Sequence, residues 1–258
     1  AVVLNAGQSA SPVASPGAAT GGNVLLSGTP SLTAGAGGTI KVYTGEIGAT
    51  NGPESLVAQG QNRFRYHADE TTNFATGTWT NLSTGTYVVY RAQPSVSMSG
   101  SGIYTMTYGD AIPTMATAGS TVNGDISTLD VSNRVNSSSG NIKASSTAYS
   151  INSNLVGLGY VVTGLSGSSL TVNPRDVTSI TSITAQNKTY DNTDGATLNT
   201  GSAGFTGKVT GDTLTVASST GTFSDKNVAN NIPVSITGLT LGGVDASNYN
   251  LTTSTAST

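Results

Sequence analysis

Small residues break every apolar run of this chain before it can make three turns of helix. No stretch holds apolar residues at three- and four-residue spacing for that long, because Gly, Ser or Thr interrupts each candidate. Strand patterns, by contrast, recur along the whole length. Thr39-Ile40-Lys41-Val42-Tyr43 alternates, with Ile40 and Val42 on one face, and residues 103–108 (IYTMTY), 213–216 (TLTV) and 233–237 (PVSIT) read the same way. Gly37-Gly38, Asn51-Gly52, Asn123-Gly124-Asp125 and Gly242-Gly243 punctuate them as turns. The expected fold class is all-β.

Charged residues make up only 9% of the chain, against roughly 25% in an average globular domain. Solubility therefore falls to Ser, Thr, Asn and Gly, which suit turns and the outer faces of strands. Disordered chains combine low hydrophobicity with high net charge; here the net charge is −3 and 36% of residues are hydrophobic. Ten Lys and Arg against 13 Asp and Glu, with no basic stripe, argue against a nucleic-acid partner. There is no cysteine to form a disulfide. No apolar run approaches the ~20 residues that span a bilayer, so no transmembrane segment is expected. The sequence opens Ala1-Val2-Val3 without a signal peptide, and reads as an internal piece of a longer protein.

An internal repeat sets the organisation. Thr107-Tyr108-Gly109-Asp110 matches Thr189-Tyr190-Asp191-Asn192 at an offset of 82, Ser150-Ile151 matches Ser235-Ile236 at 85, and Tyr160 matches Tyr249 at 89. The offsets grow in one direction, as small loop insertions would make them. Three blocks follow: residues 1–96, 97–175 and 176–258. Pro174, which cannot donate to a ladder, marks the second junction. Only nine residues follow Tyr249, so the last strand of the third block reads as cut short. In the first block, Val2-Val3-Leu4-Asn5 and Gly22-Asn23-Val24-Leu25-Leu26 are short strands in an Ala/Gly/Ser-rich context, the rhythm of β-solenoid coils or of a cap. Phe64, Tyr66, Phe74, Trp79, Tyr87 and Tyr90 gather in its second half.

Residues 97–174, with TYGD, GYVVTG and LTVNPR, resemble the MBG repeat modules of bacterial exoproteins. Residues 178–258 resemble the related YDG module, through NKTYDN (187–192), GTFSDKNV (221–228) and ITGLTLGGVDASNYNL (236–251). Asn192 stands where the module's glycine is usual, and Asn tolerates the left-handed conformation that glycine supplies. The first block is similar to the segment preceding such modules in filamentous-haemagglutinin-like adhesins. The resemblance implies two-partner secretion through an outer-membrane transporter, a secreted or cell-surface location, and a role in adhesion or biofilm. It also implies β-grasp-like or Ig-like modules, with one helical turn near Asp245-Ala246-Ser247-Asn248.

Candidate chemistry is sparse. His67 is the single histidine and stands in no nucleophile-elbow context, so the chain reads as non-catalytic, without cofactor or metal. Asp191-Asn192-Thr193-Asp194-Gly195 offers oxygen ligands near a glycine, as calcium loops do, but lacks the bidentate Glu and the EF-hand spacing; a turn in which Asp191 and Asn192 bond backbone amides is the plainer reading. The repeated tyrosine and aspartate anchors read as structural, the ring buried and the acid tying a turn. The best binding candidate is the aromatic and basic cluster of Arg63, Arg65, Tyr66, Trp79, Tyr87 and Tyr90. Arg63-Phe64-Arg65-Tyr66 alternates as a strand with arginines on one face and rings on the other. Rings stacking on sugar faces beside guanidinium donors suit a glycan or a host or neighbouring-cell receptor. Against this, a chain with few large apolar groups needs its rings for core. Two functions are thus expected in order: a stalk segment of an adhesin, and, second, a carbohydrate- or receptor-binding domain.

Overall fold

The computed structural model describes residues 2–7, 9–12, 21–76, 80–99, 102–115 and 117–257. Among these the chain is all-β: strands of two to nine residues, a few single 3-10 turns, and no α-helix. No helix among the described residues is long and apolar enough to cross a membrane. The chain forms two compact units.

One unit comprises Ala1–Gly102, Thr114–Ser132 and Ser150–Ser168. Its first sheet is entirely parallel. Val2–Asn5, Thr39–Thr44 and Gly85–Tyr90 lie side by side, and Phe64–Arg65 pairs with the far edge of Gly85–Tyr90. Leu4, Val42, Val88 and Phe64 fall in one row across these four strands. Parallel rungs separated by long returns are what solenoid-like stacking requires, and the row becomes wholly buried at Val42, Val88 and Phe64. Ile40 and Val42 face inward, as their alternation requires. A second sheet joins Ser95–Ser99, parallel to Val161–Thr163 and antiparallel to Thr117–Ala118. Phe64, Tyr66, Val88, Tyr90, Val96, Leu155, Leu158 and Tyr160 form one core.

The other unit comprises Ile103–Pro113, Asn133–Tyr149 and Ser169–Thr258. Ile103–Thr107 runs parallel to Ser169–Asn173, and Arg175–Val177 parallel to Tyr249–Leu251. A long hairpin, Thr215–Phe223 with Val234–Gly242, carries two register shifts and is flanked by Gly195–Ala196 and Ala256–Ser257. Its buried apolar residues include Met106, Tyr108, Ile142, Leu170, Val172, Val177, Ile180, Ile183, Leu214, Val234, Ile236, Leu239 and Tyr249. The helical turn expected near Asp245 is a 3-10 turn, Ala246–Asn248.

Two expectations meet a different structure. Residues 22–26 are not a strand; the segment is held from the side, by Gly45 N–H donating to the Gly22 carbonyl and Leu26 N–H to that of Asn51 (3.1 and 2.7 Å). The compact units also do not follow the sequence blocks. Residues 103–113, 133–149 and 169–175 of the middle block pack within the unit that holds the third. The side chains that draw them there are described next.

Candidate functional site

The Tyr160 and Tyr249 anchors both follow a 3-10 turn, Asn154–Leu158 and Ala246–Asn248, and both lead into a short parallel strand. Each ring is buried edge-on against a second tyrosine from elsewhere in the chain. Tyr160 meets Tyr66 with centroids 4.9 Å apart at 75°, and Tyr249 meets Tyr108 at 5.4 Å and 77°, the edge-to-face geometry that aromatic quadrupoles favour. Tyr66 and Tyr108 each end a short parallel strand and precede a residue with positive φ, His67 (52°) and Gly109 (84°), which turns the chain away.

A carboxylate joins each pair. Asp125 Oδ2 accepts from the Tyr66 and Tyr160 hydroxyls at 2.6 and 2.9 Å. Asp212 Oδ2 accepts from those of Tyr108 and Tyr249 at 2.5 and 2.6 Å. The acids sit in matching turns, Val122-Asn123-Gly124-Asp125 and Val209-Thr210-Gly211-Asp212. In each, the aspartate N–H returns to the valine carbonyl (3.1 and 3.2 Å), and the valine N–H donates to the nearby tyrosine hydroxyl (3.1 and 2.8 Å). Gly124 and Gly211 have φ of 65° and 93°, a region that disfavours any side chain. The arrangement is therefore one device built twice: a V-x-G-D turn whose acid clamps two perpendicular tyrosines.

The surroundings of the two clamps differ. Leu155 and Leu158 back the first, and Asp125 Oδ1 is buried without a hydrogen-bond partner among the described residues. Burial consequently pushes the Asp125 carboxyl above the usual carboxylate range, despite the donors Tyr66 and Tyr160 and the Arg65 charge. The second clamp is backed by polar groups. Ser139 N–H donates to Asp212 Oδ1 at 3.2 Å, Asp245 accepts from the N–H groups of Ser138 and Thr213 (3.1 and 2.9 Å), and Asn248 Oδ1 accepts from Ala144 N–H at 3.0 Å. Burial acts to raise Asp212, but the bonds from Ser139, Tyr108 and Tyr249 outweigh it and hold the carboxyl below its ordinary value. Asp245 is held low in the same way by Thr213 and Ser138, against its burial. Asp212, Asp245 and Asn248 thus fasten residues 137–144 of the middle block, and Tyr108 and Arg175 add a further tie: the Arg175 guanidinium donates to the Tyr108 carbonyl (2.7 Å) and to Asp110. This explains why the middle block is divided between the compact units.

The aromatic and arginine cluster expected to bind ligand lies mostly inside. Tyr66 and Tyr90 are fully buried and stacked, with centroids 5.4 Å apart at 11°. Tyr87 is buried, its hydroxyl bonded to Ser83. The Arg65 guanidinium lies over the Tyr87 ring at 5.2 Å and donates to the carbonyls of Asn62 and Phe64; burial lowers its pKa. Arg63 lies over Tyr87 at 5.0 Å and donates to the Thr84 carbonyl. Most of these donors are taken up by neighbouring carbonyls and rings, Arg65 Nε being buried without a partner among the described residues and Arg63 half-buried, so the rings face the core and not a ligand. Trp79 lies outside the described residues. Arg91, beyond the cluster, is a buried staple that donates to the carbonyls of Ala6 and Ala10 and to Asn5. In the loop weighed for calcium, Asp191 Oδ1 is taken by the Thr193 N–H and hydroxyl (2.9 and 2.8 Å) and by Lys188 Nζ (2.8 Å). Those contacts, Lys188 foremost, lower its pKa to about 2.

Asp125 and Asp212 were not singled out by the sequence reading. Their signal was present: V-x-G-D recurs at an offset of 87. That value falls out of order between the 82 and 85 of the flanking anchors, so a search for steadily growing offsets passes over it.

The sequence profile of the YDG domain matches residues 173–257. A YDG domain therefore occupies the last third of the chain, and it contributes Asp212, Asp245, Asn248 and Tyr249 to the second clamp. No curated protein and no solved structure matches the chain.

Proposed function

We propose that the chain is a non-catalytic stalk segment of a large secreted bacterial surface adhesin, filamentous-haemagglutinin-like, in which residues 97–175 form an MBG-type module ahead of the YDG domain. Its task is mechanical: to join β-modules in series and hold a binding tip away from the cell, for adhesion and biofilm formation. The observation that carries this reading is the doubled tyrosine–aspartate–tyrosine clamp. In its second copy the YDG domain supplies one tyrosine and the carboxylate, and the preceding block supplies the other tyrosine. Consecutive blocks of sequence are thereby fastened by buried, charge-assisted hydrogen bonds in addition to the peptide linkage. The buried tyrosines and acids of the clamps are engaged with one another, which suits a structural role. Export through an outer-membrane transporter belongs to the same reading, and suits a chain of low charge without cysteine.

Small-angle scattering tests it. A compact chain of this length has a radius of gyration of about 18 Å. A stalk segment gives a clearly larger value and a long-tailed distance distribution, whereas a value at the compact limit would overturn the proposal.

A further inference from the structure

The first two blocks of the repeat alignment leave one part of the third without its counterpart contacts. Tyr190 is the repeat equivalent of Tyr108. Tyr108 is fully buried in a clamp; Tyr190 is 55% exposed, and among the described residues its hydroxyl donates to Asn192 Oδ1 at 3.3 Å. The same contrast holds a little further on. At an offset of 86, between the 87 of the V-x-G-D turn and the 85 of Ser150-Ile151, Asn141-Ile142 aligns with Asn227-Val228 and Ser138 with Ser224. Ile142 is 5% exposed and Val228 84%. Ser138 and Ser139 give their N–H groups to Asp245 and Asp212, while residues 224–231 are exposed.

A groove occupies the corresponding place. An open, polar depression of about 550 Å³ is lined by Asn192, Thr193, Asp194, Phe223, Ser224 and Asp225, with Lys226 at its side. Phe223 N–H donates to the Asp194 carbonyl at 2.7 Å and so fixes its two walls together. In the middle block the equivalent walls, at offsets of 82 and 86, are residues 110–112, which directly follow Tyr108 and Gly109, and residues 137–139; the V-x-G-D turn of the YDG domain is bonded at both, Asp212 taking the Tyr108 hydroxyl beside the first and the Ser139 N–H of the second.

We propose that Tyr190 and this groove are a docking socket for a further module of the same kind, joined in series. The incoming module presents the carboxylate of a V-x-G-D turn together with a tyrosine about 37 residues later, the separation of Asp212 and Tyr249. The carboxylate accepts the Tyr190 hydroxyl, the incoming ring packs edge-on against Tyr190, and the newcomer's apolar residues cover Val228. Lys188 is already engaged by Asp191 and by the Thr193 and Gly195 carbonyls, and Asp194 and Asp225 line the groove beside Lys226, so recognition rests on hydroxyl and N–H donors and not on net charge. The inference extends the stalk reading above and rests on it for the serial arrangement, but it assigns residues to the joint.

The test extends the full chain. Tyr160 and Tyr249 align at 89, which places Thr258 opposite Ser169, so a copy of residues 170–258 is appended directly after Thr258. The copy carries Tyr190→Phe, so that only the host Tyr190 reports. Tetranitromethane nitration is followed peptide by peptide by mass spectrometry. The expected result is protection of the host Tyr190 by at least about tenfold relative to the 258-residue chain, as burial behind a local opening equilibrium gives, and recovery of its reactivity when the copy also carries Asp212→Ala. Unchanged reactivity of Tyr190 overturns the proposal, and so does an appended copy that fails to fold, since the host then offers no usable edge. Scattering of the same extended chain separates the two readings: elongation without protection of Tyr190 removes the socket and leaves the stalk, and protection without elongation removes the stalk and leaves the socket.

Discussion

The two clamps share a turn, an acid and a pair of rings, yet their acids are shifted in opposite directions. Asp125 is raised because burial dominates and Oδ1 has no partner among the described residues; Asp212 is lowered because a third donor, Ser139, joins the two tyrosines. The surroundings explain the difference. Where Leu155 and Leu158 back the clamp, packing carries the stability and the carboxylate is a cost that the tyrosine hydroxyls offset. Where Asp245 and Asn248 back it, the carboxylate is one member of a polar network in which both oxygens of Asp212 and of Asp245 are bonded, Asn248 Nδ2 alone being buried without a partner among the described residues. The same motif thus serves an apolar core in one place and fastens successive blocks in another.

The largest effect should come from the rings. Tyr66→Ala and Tyr108→Ala each remove a fully buried side chain and should cost about 3–5 kcal/mol, the range for large aromatic truncations. Urea titration of each variant measures it, and a cost below 1 kcal/mol for either would break the equivalence of the clamps. The acids should then separate them. Asp212→Ala leaves two buried hydroxyls and the Ser139 N–H without their acceptor and should cost about 3 kcal/mol, whereas Asp125→Ala also relieves a poorly solvated carboxylate and should cost about 1 kcal/mol. Equal costs would remove the contrast.

Acidification sharpens the comparison further. An unfolded Asp titrates near 3.9. Asp212, held lower in the folded chain, contributes stability that is present above that value and is lost as pH falls through its lowered folded value. Asp125, held higher, has the opposite sign: its penalty is present above its raised folded value and is lifted as pH falls toward the unfolded one. Hydrogen exchange between pH 7 and 3 should therefore show protection of Tyr249–Leu251 weakening before that of Val161–Thr163. The readout has to be local, because Asp69 and Glu70, elsewhere in the first unit, are also held low and lose stability in acid. The smallest effect belongs to the turns. Gly124→Ala and Gly211→Ala force a side chain into the left-handed region and should each lower stability by about 1 kcal/mol, by the same amount in both units.

Much of this was legible in the sequence. Alternation placed Ile40 and Val42 inward, the repeat picked out Tyr108, Tyr160 and Tyr249, and the resemblance to the YDG module located the turn before Tyr249. Three things were not legible. Arg65 reads as a surface residue from its charge, but the Tyr87 ring and two backbone carbonyls accept it inside. The strand expected at 22–26 lacks a ladder partner, a matter of distant chain that local pattern does not record. The middle block reads as one module because its strands are contiguous in sequence; its division depends on which distant acids cap residues 137–144, and hydrophobic periodicity carries no information about that.

In each clamp the carboxylate couples two tyrosines, and a double-mutant cycle measures that coupling. Asp212→Asn and Tyr249→Phe, singly and together, should show an interaction energy of about 1–2 kcal/mol in urea unfolding at pH 7. Additivity within about 0.3 kcal/mol would mean that acid and hydroxyl are merely neighbours, and would contradict the account.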